Sequence, residues 1–222
     1  MGWLMSTCES RRQKMVANHL RRRDISDPRV LAAFATVPRD RFVPPALVDR
    51  SYDDTPLPIG AGQTISQPYI VAITVQALRL SGHERVLEIG TGSGYAAAIL
   101  AMLAHEVETV ERLDELATRA ATTLAGLGIA NVHVHHGDGT LGWPSRAPYE
   151  AIAVAAAAPS PPPALLAQLA IGGRLVVPTG LPDSQRLVRI TRNSESDYSE
   201  EDLGDVRFVP LIGEQGWPIP LT

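Results

Sequence analysis

Apolar residues in this chain come in short runs broken by Gly, Pro and charged positions, and the runs repeat with two different periods. Val30, Leu31, Phe34 and Val37 recur at the three- and four-residue steps of one helix face. Asp27 reads as the N-cap of that helix, Pro28 as its first position and Pro38 as its stop. Upstream, residues 10–23 are polar and helix-prone, and residues 67–80 predict another helix with Pro68 in its first turn. Beyond it, compact apolar runs alternate with helical stretches. Strands are predicted over 85–89, 107–110, 132–135, 151–155 and 174–177. Helices are predicted over 95–103, 114–127 with Gly128 as C-cap, and 163–169. Two final strands are expected at 185–191 and 206–209, with the acidic stretch from Asn193 to Asp205 between them as a surface loop. This alternation predicts an α/β fold: a mostly parallel, Rossmann-like sheet with helices on both faces.

Residues 41–63 fit neither period. They are rich in Pro and Gly, yet Phe42, Val43, Leu57 and Ile59 are too apolar for a free linker, so the stretch reads as an ordered layer over a site. Ligand sites in parallel sheets lie beyond the carboxyl ends of the strands. That rule singles out residues 88–94, Glu111, Asp138 and residues 155–159.

Composition narrows the class. The 222 residues suit one domain, and 45% hydrophobic with 20% charged residues excludes wholesale disorder. With 5% aromatics the core must be built from Ala, Val, Leu and Ile. A net charge of −4 argues against a nucleic-acid binder. Charge is uneven, at +5 over residues 1–50 and −9 beyond, and Arg21, Arg22 and Arg23 form a basic cluster. Without interleaved aromatics, that cluster reads as a solvated helix face rather than an arm for an acidic partner. Cys8, the one cysteine, can form neither an internal disulfide nor a cysteine zinc cage. No apolar run approaches the ~20 residues that span a bilayer. Residues 1–10 are too short and too weakly apolar for a secretory signal. A soluble, cytoplasmic protein is expected, with no membrane partner.

The first strand end reads Glu88-Ile89-Gly90-Thr91-Gly92-Ser93-Gly94-Tyr95. Tyr95 stands where a dinucleotide fingerprint needs its third glycine, and no Gly-Lys-Ser/Thr follows, so pyrophosphate-binding loops are excluded. Three alternate glycines behind a glutamate suit a ligand with an amino-acid part. Glu111, 21 residues after Gly90, is placed to accept both hydroxyls of a ribose. Asp138, between Gly137 and Gly139, can accept from an exocyclic amine, although alone it is as easily a turn residue.

Together these features resemble the class I methyltransferases, which bind S-adenosyl-L-methionine. A closer resemblance lies in Pro56-Leu57-Pro58-Ile59-Gly60-Ala61-Gly62-Gln63-Thr64-Ile65-Ser66-Gln67-Pro68-Tyr69-Ile70-Val71, similar to the hallmark of the protein-L-isoaspartate O-methyltransferases. Arg41-Phe42-Val43-Pro44, Gly137-Asp138-Gly139, residues 147–152, residues 172–176 and Phe208-Val209-Pro210-Leu211 match as well. The resemblance implies methylation of the abnormal carboxylate of isoaspartyl residues in damaged proteins and peptides, followed by closure to a succinimide. It divides the chain into an N-terminal helical and substrate-loop extension (1–66) and a cofactor-binding methyltransferase domain (67–222), together one structural unit. It implies that Ser66 lies beside the transferred methyl and the substrate carboxylate. Gln63, Thr64 and Ile65 would line cofactor and substrate, with Pro58 and Ile59 on the substrate side. Glu88 with Gly90, Thr91, Gly92, Ser93 and Gly94 would hold the methionine part, Glu111 the ribose, and Asp138 with Gly139 the adenine, with Arg112 also in the cofactor site. The tail from Pro210 to Trp217 would close over the cofactor. Glu150, Ala155 and Ile73-Thr74-Val75 depart from the family's usual residues without removing a motif centre.

The implied chemistry needs no general base, because a carboxylate with a pKa near ~4 is already ionised at neutral pH. Ser66 is therefore read as an orienting hydrogen-bond donor, with helix N-cap as its alternative. His133, His135 and His136 are not expected to bind metal: the first two share a strand face, the third points away, and no acidic partner follows except Asp138. Trp143 and Trp217 are expected to pack on loops. Two other functions compete. One is a dedicated peptide aspartyl O-methyltransferase, which the short stretch after residue 212 disfavours. The other is a non-catalytic cofactor- or nucleic-acid-binding module, which the intact 63–68 motif disfavours. A monomer is expected.

Overall fold

The computed structural model describes residues 2–218, with side chains from residue 7. Helix α1 (Gly2–Met15) runs into a π-helical turn (Val16–Arg21), so the N-terminal helix begins earlier than the sequence pattern predicts. Helix α2 (Pro28–Thr36) starts as expected, with the Asp27 carboxylate accepting from the Arg29 and Val30 N–H groups. Arg21, Arg22 and Arg23 are all exposed, and Arg23 also pairs with Asp54 at 3.2 Å and lies over the Tyr69 ring.

The stretch without a period is ordered, but it holds more structure than a loop. Two 3₁₀ turns (Arg39–Phe42 and Pro45–Arg50) lead into a hairpin of β1 (Leu57–Gly60) and β2 (Gln63–Ile65). These strands are too short, and too interrupted by Pro and Gly, to declare themselves by alternation. The buried Arg39 fastens the first turn by donating to the Ser51 carbonyl, and its guanidinium stacks over Tyr95.

Next come α3 (Pro68–Ala77), β3 (Arg85–Ile89), α4 (Tyr95–Ala101), β4 (Glu106–Glu111), α5 (Asp114–Gly126), β5 (Val132–His136), β6 (Tyr149–Val154) and α6 (Pro163–Ala167). β7 (Leu169–Leu181), β8 (Ser184–Arg192) and β9 (Tyr198–Val206) complete the strands among the described residues. The seven-stranded sheet has the order β5-β4-β3-β6-β7-β8-β9, with β5 to β7 parallel and β8 and β9 antiparallel. β3 and β6, at its centre, are buried on both faces, as continuous apolar parallel strands must be. Val86 and Val107 join the cluster packed by α2 to α5, while Leu87, Ile89 and Val110 turn to the opposite face with α6 and the C-terminal tail.

The acidic stretch predicted as a loop is mostly β9, and the strand predicted at 206–209 contributes only Val206. β9 is an edge strand, largely exposed, so no apolar alternation marks it. Its carboxylates are held across the ladder by ion pairs Arg186–Asp202 and Arg189–Glu201, and charge on an edge strand also discourages further pairing.

Arg79 follows the end of α3 with φ +51, a left-handed conformation that an L side chain adopts at a cost. It also adds repulsion to the half-buried Arg174. Arg79→Gly is expected to raise stability by about 0.5–1 kcal/mol, seen as a higher urea midpoint at unchanged slope. An unchanged or lower midpoint would show that the strain is not felt.

Candidate active site

β3 ends at Ile89, and the chain then turns away through Gly90, Gly92 and Gly94 at φ +90, +54 and +87. Three left-handed positions in five residues are what the alternate glycines supply. The Gly94 backbone also abuts Ala120 and Leu124, seating the start of α4 on α5.

The β1–β2 hairpin lies over this loop. Leu57, Ile59 and Ile65 point inward and are buried, while Pro58 and Thr64, partners across the ladder, face out. The Ile59 Cδ1 sits 3.5 Å from where a Cβ on Gly92 would be, so hairpin and loop touch. Residues 62–66 and 90–93 line one cavity of about 370 Å³, together with residues 111–113, Gly139, Ala155, Ala156 and residues 209–212. Of the residues singled out from sequence, this cavity brings together Gln63, Thr64, Ile65, Ser66, Gly90, Thr91, Gly92, Ser93, Glu111, Arg112 and Gly139.

Ser66 is half-buried at the cavity wall. It is not the N-cap of α3: that position is Gln67, which makes no side-chain capping bond. Among the described residues no group engages the Ser66 hydroxyl, leaving it available to a ligand.

Glu111 accepts the Gly92 N–H on one oxygen at 2.9 Å and the Leu113 N–H on the other at 3.0 Å. A carboxylate has about four acceptor positions, so each oxygen retains one for a vicinal diol.

Four further residues expected to touch ligand lie off the cavity wall: Pro58, Ile59, Gly94 and Asp138. Pro58 and Ile59 belong to the covering hairpin, and Gly94 to the loop's seat. Asp138 caps its own turn, accepting from the Thr140 N–H and hydroxyl on Oδ1, and holds the tail by accepting the Glu214 N–H on Oδ2 at 2.8 Å. It thereby positions residues 209–212 as a wall. Gln215 N–H donates to Thr140, and the Trp217 indole donates to the Ala157 carbonyl, which pins the same tail.

Glu88 also lies outside the main cavity. It faces a smaller one of about 30 Å³ that shares Ser66, Val71, Ala96 and Ala155 with the first. Its Oε2 accepts the Thr109 hydroxyl at 2.6 Å, and Thr109 meets the Thr91 hydroxyl of the glycine loop at 2.7 Å. Its Oε1 is buried and unpartnered. Burial, reinforced by the nearby charge of Glu111, pushes the carboxyl up to about 8 despite the bond from Thr109.

The histidines sit on the far strand edge. The expectation that they lack acidic partners is corrected by the adjacent strand: His133 meets Glu106 at 3.2 Å, and His135 pairs with Glu108. A scan along one strand could not find groups contributed by its neighbour. Arg85 and Arg146 bind the same carboxylates, and Trp143 stacks on His135 at 4.0 Å.

Sequence reasoning missed Arg119. It projects from α5, and its guanidinium donates to the Ile59 carbonyl of the hairpin, 60 residues away. Tyr95 and Leu113 also line the cavity, and nothing in their local pattern marks them.

Comparison with known proteins agrees with this geometry. The family model for protein-L-isoaspartate(D-aspartate) O-methyltransferase matches residues 10–216. Protein-L-isoaspartate O-methyltransferase 1 of Rhodopseudomonas palustris (strain HaA2) is 60% identical over 209 residues, covering 94% of this chain and 85% of that protein. A solved protein-L-isoaspartate O-methyltransferase superposes with a TM-score of 0.83 at 29% identity, over 92% of this chain and 67% of the other. A Plasmodium falciparum structure described as a beta-aspartate methyltransferase, in complex with S-adenosyl-L-homocysteine, gives 0.77 at 26% identity, over 90% and 98%. With a glycine loop, a covering hairpin and a pinned tail around one cavity, and with relatives this similar along nearly its whole length, this chain belongs to the protein-L-isoaspartate(D-aspartate) O-methyltransferase family.

Proposed function

We infer that this protein methylates the free carboxylate of isoaspartyl residues in damaged proteins and peptides, the first step of their repair through a succinimide. The observation that carries the reading is the shared cavity, in which the 63–66 segment faces the glycine loop.

The residues present fit S-adenosyl-L-methionine. Glu111 keeps acceptor capacity toward a diol, and Gly90 and Gly92 present bare backbone to the cavity. Gly139 offers a flat wall: a Cβ there would fall 2.5 Å from Ile89 Cγ2. When bound, the cofactor supplies a methyl group on a positively charged sulfur.

The chain's own part is positioning and exclusion of water. The Ser66 hydroxyl donates to the substrate carboxylate and fixes the direction of one oxygen. Ile65, Val71, Ile89 and Leu211 make much of the wall apolar, so neighbouring charges are poorly screened by solvent. No side chain needs to remove a proton, because the nucleophile is already an anion. Alignment of pre-bound groups supplies the remaining acceleration.

The proposed partners are isoaspartyl proteins and peptides, met by a monomer without nucleic acid. The proposed compartment is the cytoplasm, which the lone Cys8 suits. Among the described residues no helix is long and apolar enough to cross a membrane.

Paired peptides differing only in Asp against isoAsp, offered with labelled cofactor, test the reading. Label is expected on the isoaspartyl peptide. Label on the normal peptide alone would assign the protein to dedicated aspartyl methylation instead.

A further inference from the structure

We propose that Arg119 is a positioning residue that latches the β1–β2 hairpin over the cavity and so sets how long cofactor stays bound. This rests on the cofactor reading above.

The hairpin is a two-stranded sheet with no ladder to the seven-stranded one. Such a pair is at best marginally stable by itself, so its place over the cavity depends on what fastens it. Its root is fastened through Asp54, which accepts from the Gln67 side chain at 2.8 Å and the Tyr69 N–H at 3.2 Å. Its far end turns through Gly60, Ala61 and Gly62, all at positive φ and all exposed. Ile59 tucks its side chain against the glycine loop, and the Ile59 carbonyl takes the Arg119 guanidinium. The guanidinium also lies beside Gly60, with Nη1 3.7 Å from where a Cβ would stand.

Arg119 is carried by α5, which leads directly out of β4 and the cavity-lining residues 111–113. The bond therefore joins the covering strand to the helix that follows the 111–113 part of the wall. A charge-assisted bond to a carbonyl is stronger than a neutral one. Opening the hairpin requires breaking it.

The test is release of radiolabelled S-adenosyl-L-homocysteine, with amide hydrogen exchange over residues 59–64. Arg119→Met, which keeps the stem and removes the donor, is expected to release the ligand about tenfold faster and to exchange faster over the hairpin. KM for cofactor should rise by a similar factor while kcat at saturation stays within about threefold. Arg119→Lys, which keeps a donor, should recover most of the retention. Equal release and exchange in wild type and Arg119→Met would overturn the latch. Equal losses in KM, kcat and thermal stability, without rescue by Lys, would overturn it in favour of general support of α5. Failure of the wild type to retain the ligand would instead strike the cofactor reading.

Discussion

Ser66→Ala is expected to fold, to bind cofactor as the wild type does, and to methylate isoaspartyl peptide about 10- to 100-fold more slowly. The range is the worth of one hydrogen bond to a charged group, about 1.5–3 kcal/mol, expressed as rate. Folding should be unaffected, because the hydroxyl caps no helix and meets no group within the described chain. The loss should fall on kcat at saturating cofactor, since the hydroxyl orients the reacting carboxylate rather than the cofactor. Thr, which keeps a hydroxyl, should recover part of the rate. Turnover equal to wild type in the Ala variant would remove Ser66 from the mechanism.

Glu88→Gln is expected to stabilise the protein, and by an amount that depends on pH. In the folded chain burial holds the Glu88 carboxyl up to about 8, against an ordinary value of 4.5. Between those values the folded state keeps a proton that the unfolded state has released. Stability therefore falls as pH rises through this window, and the full contribution is present only below the ordinary value. Gln copies the neutral form and escapes the penalty. The variant should match wild type near pH 4.5 and exceed it by about 2–4 kcal/mol at pH 8, measured by urea unfolding at both. A difference that is the same at both pH values would show that Glu88 ionises normally in the folded chain. A carboxylate kept in a dry place at the expense of stability is a familiar arrangement at functional sites.

Much of the fold was legible in the sequence, for reasons that are local. The strand over 85–89 and the helix beginning at Pro28 appear where their apolar spacing and cap residues put them. The glycine loop was legible because positive φ at alternate positions leaves little choice of residue. β9 was not legible: an exposed edge strand has neither a buried face nor an apolar period, and it exists through pairing with β8. The hairpin was read as a layer without being resolved into strands, because Pro58 and the Gly60-Ala61-Gly62 tip obscure a period only a few residues long. At the cavity, the presence of Ser66 and Glu111 on the wall was legible by position relative to recognised motifs, whereas Arg119 carries no motif at all.

The sequence by itself determined the alternation of strands and helices, the turn at Gly90 to Gly94, and the family to which the 63–68 motif belongs. All of these follow from residues adjacent or nearly adjacent in the chain, whose preferences act before any packing. Only the tertiary structure decided that Asp138 spends an oxygen on the tail 76 residues away, that Arg119 reaches Ile59, and that Glu106 and Glu108 face the histidines. It alone decided that burial raises the Glu88 carboxyl. Those outcomes depend on juxtaposition across the chain and on removal of water, and neither exists until the sheet has closed.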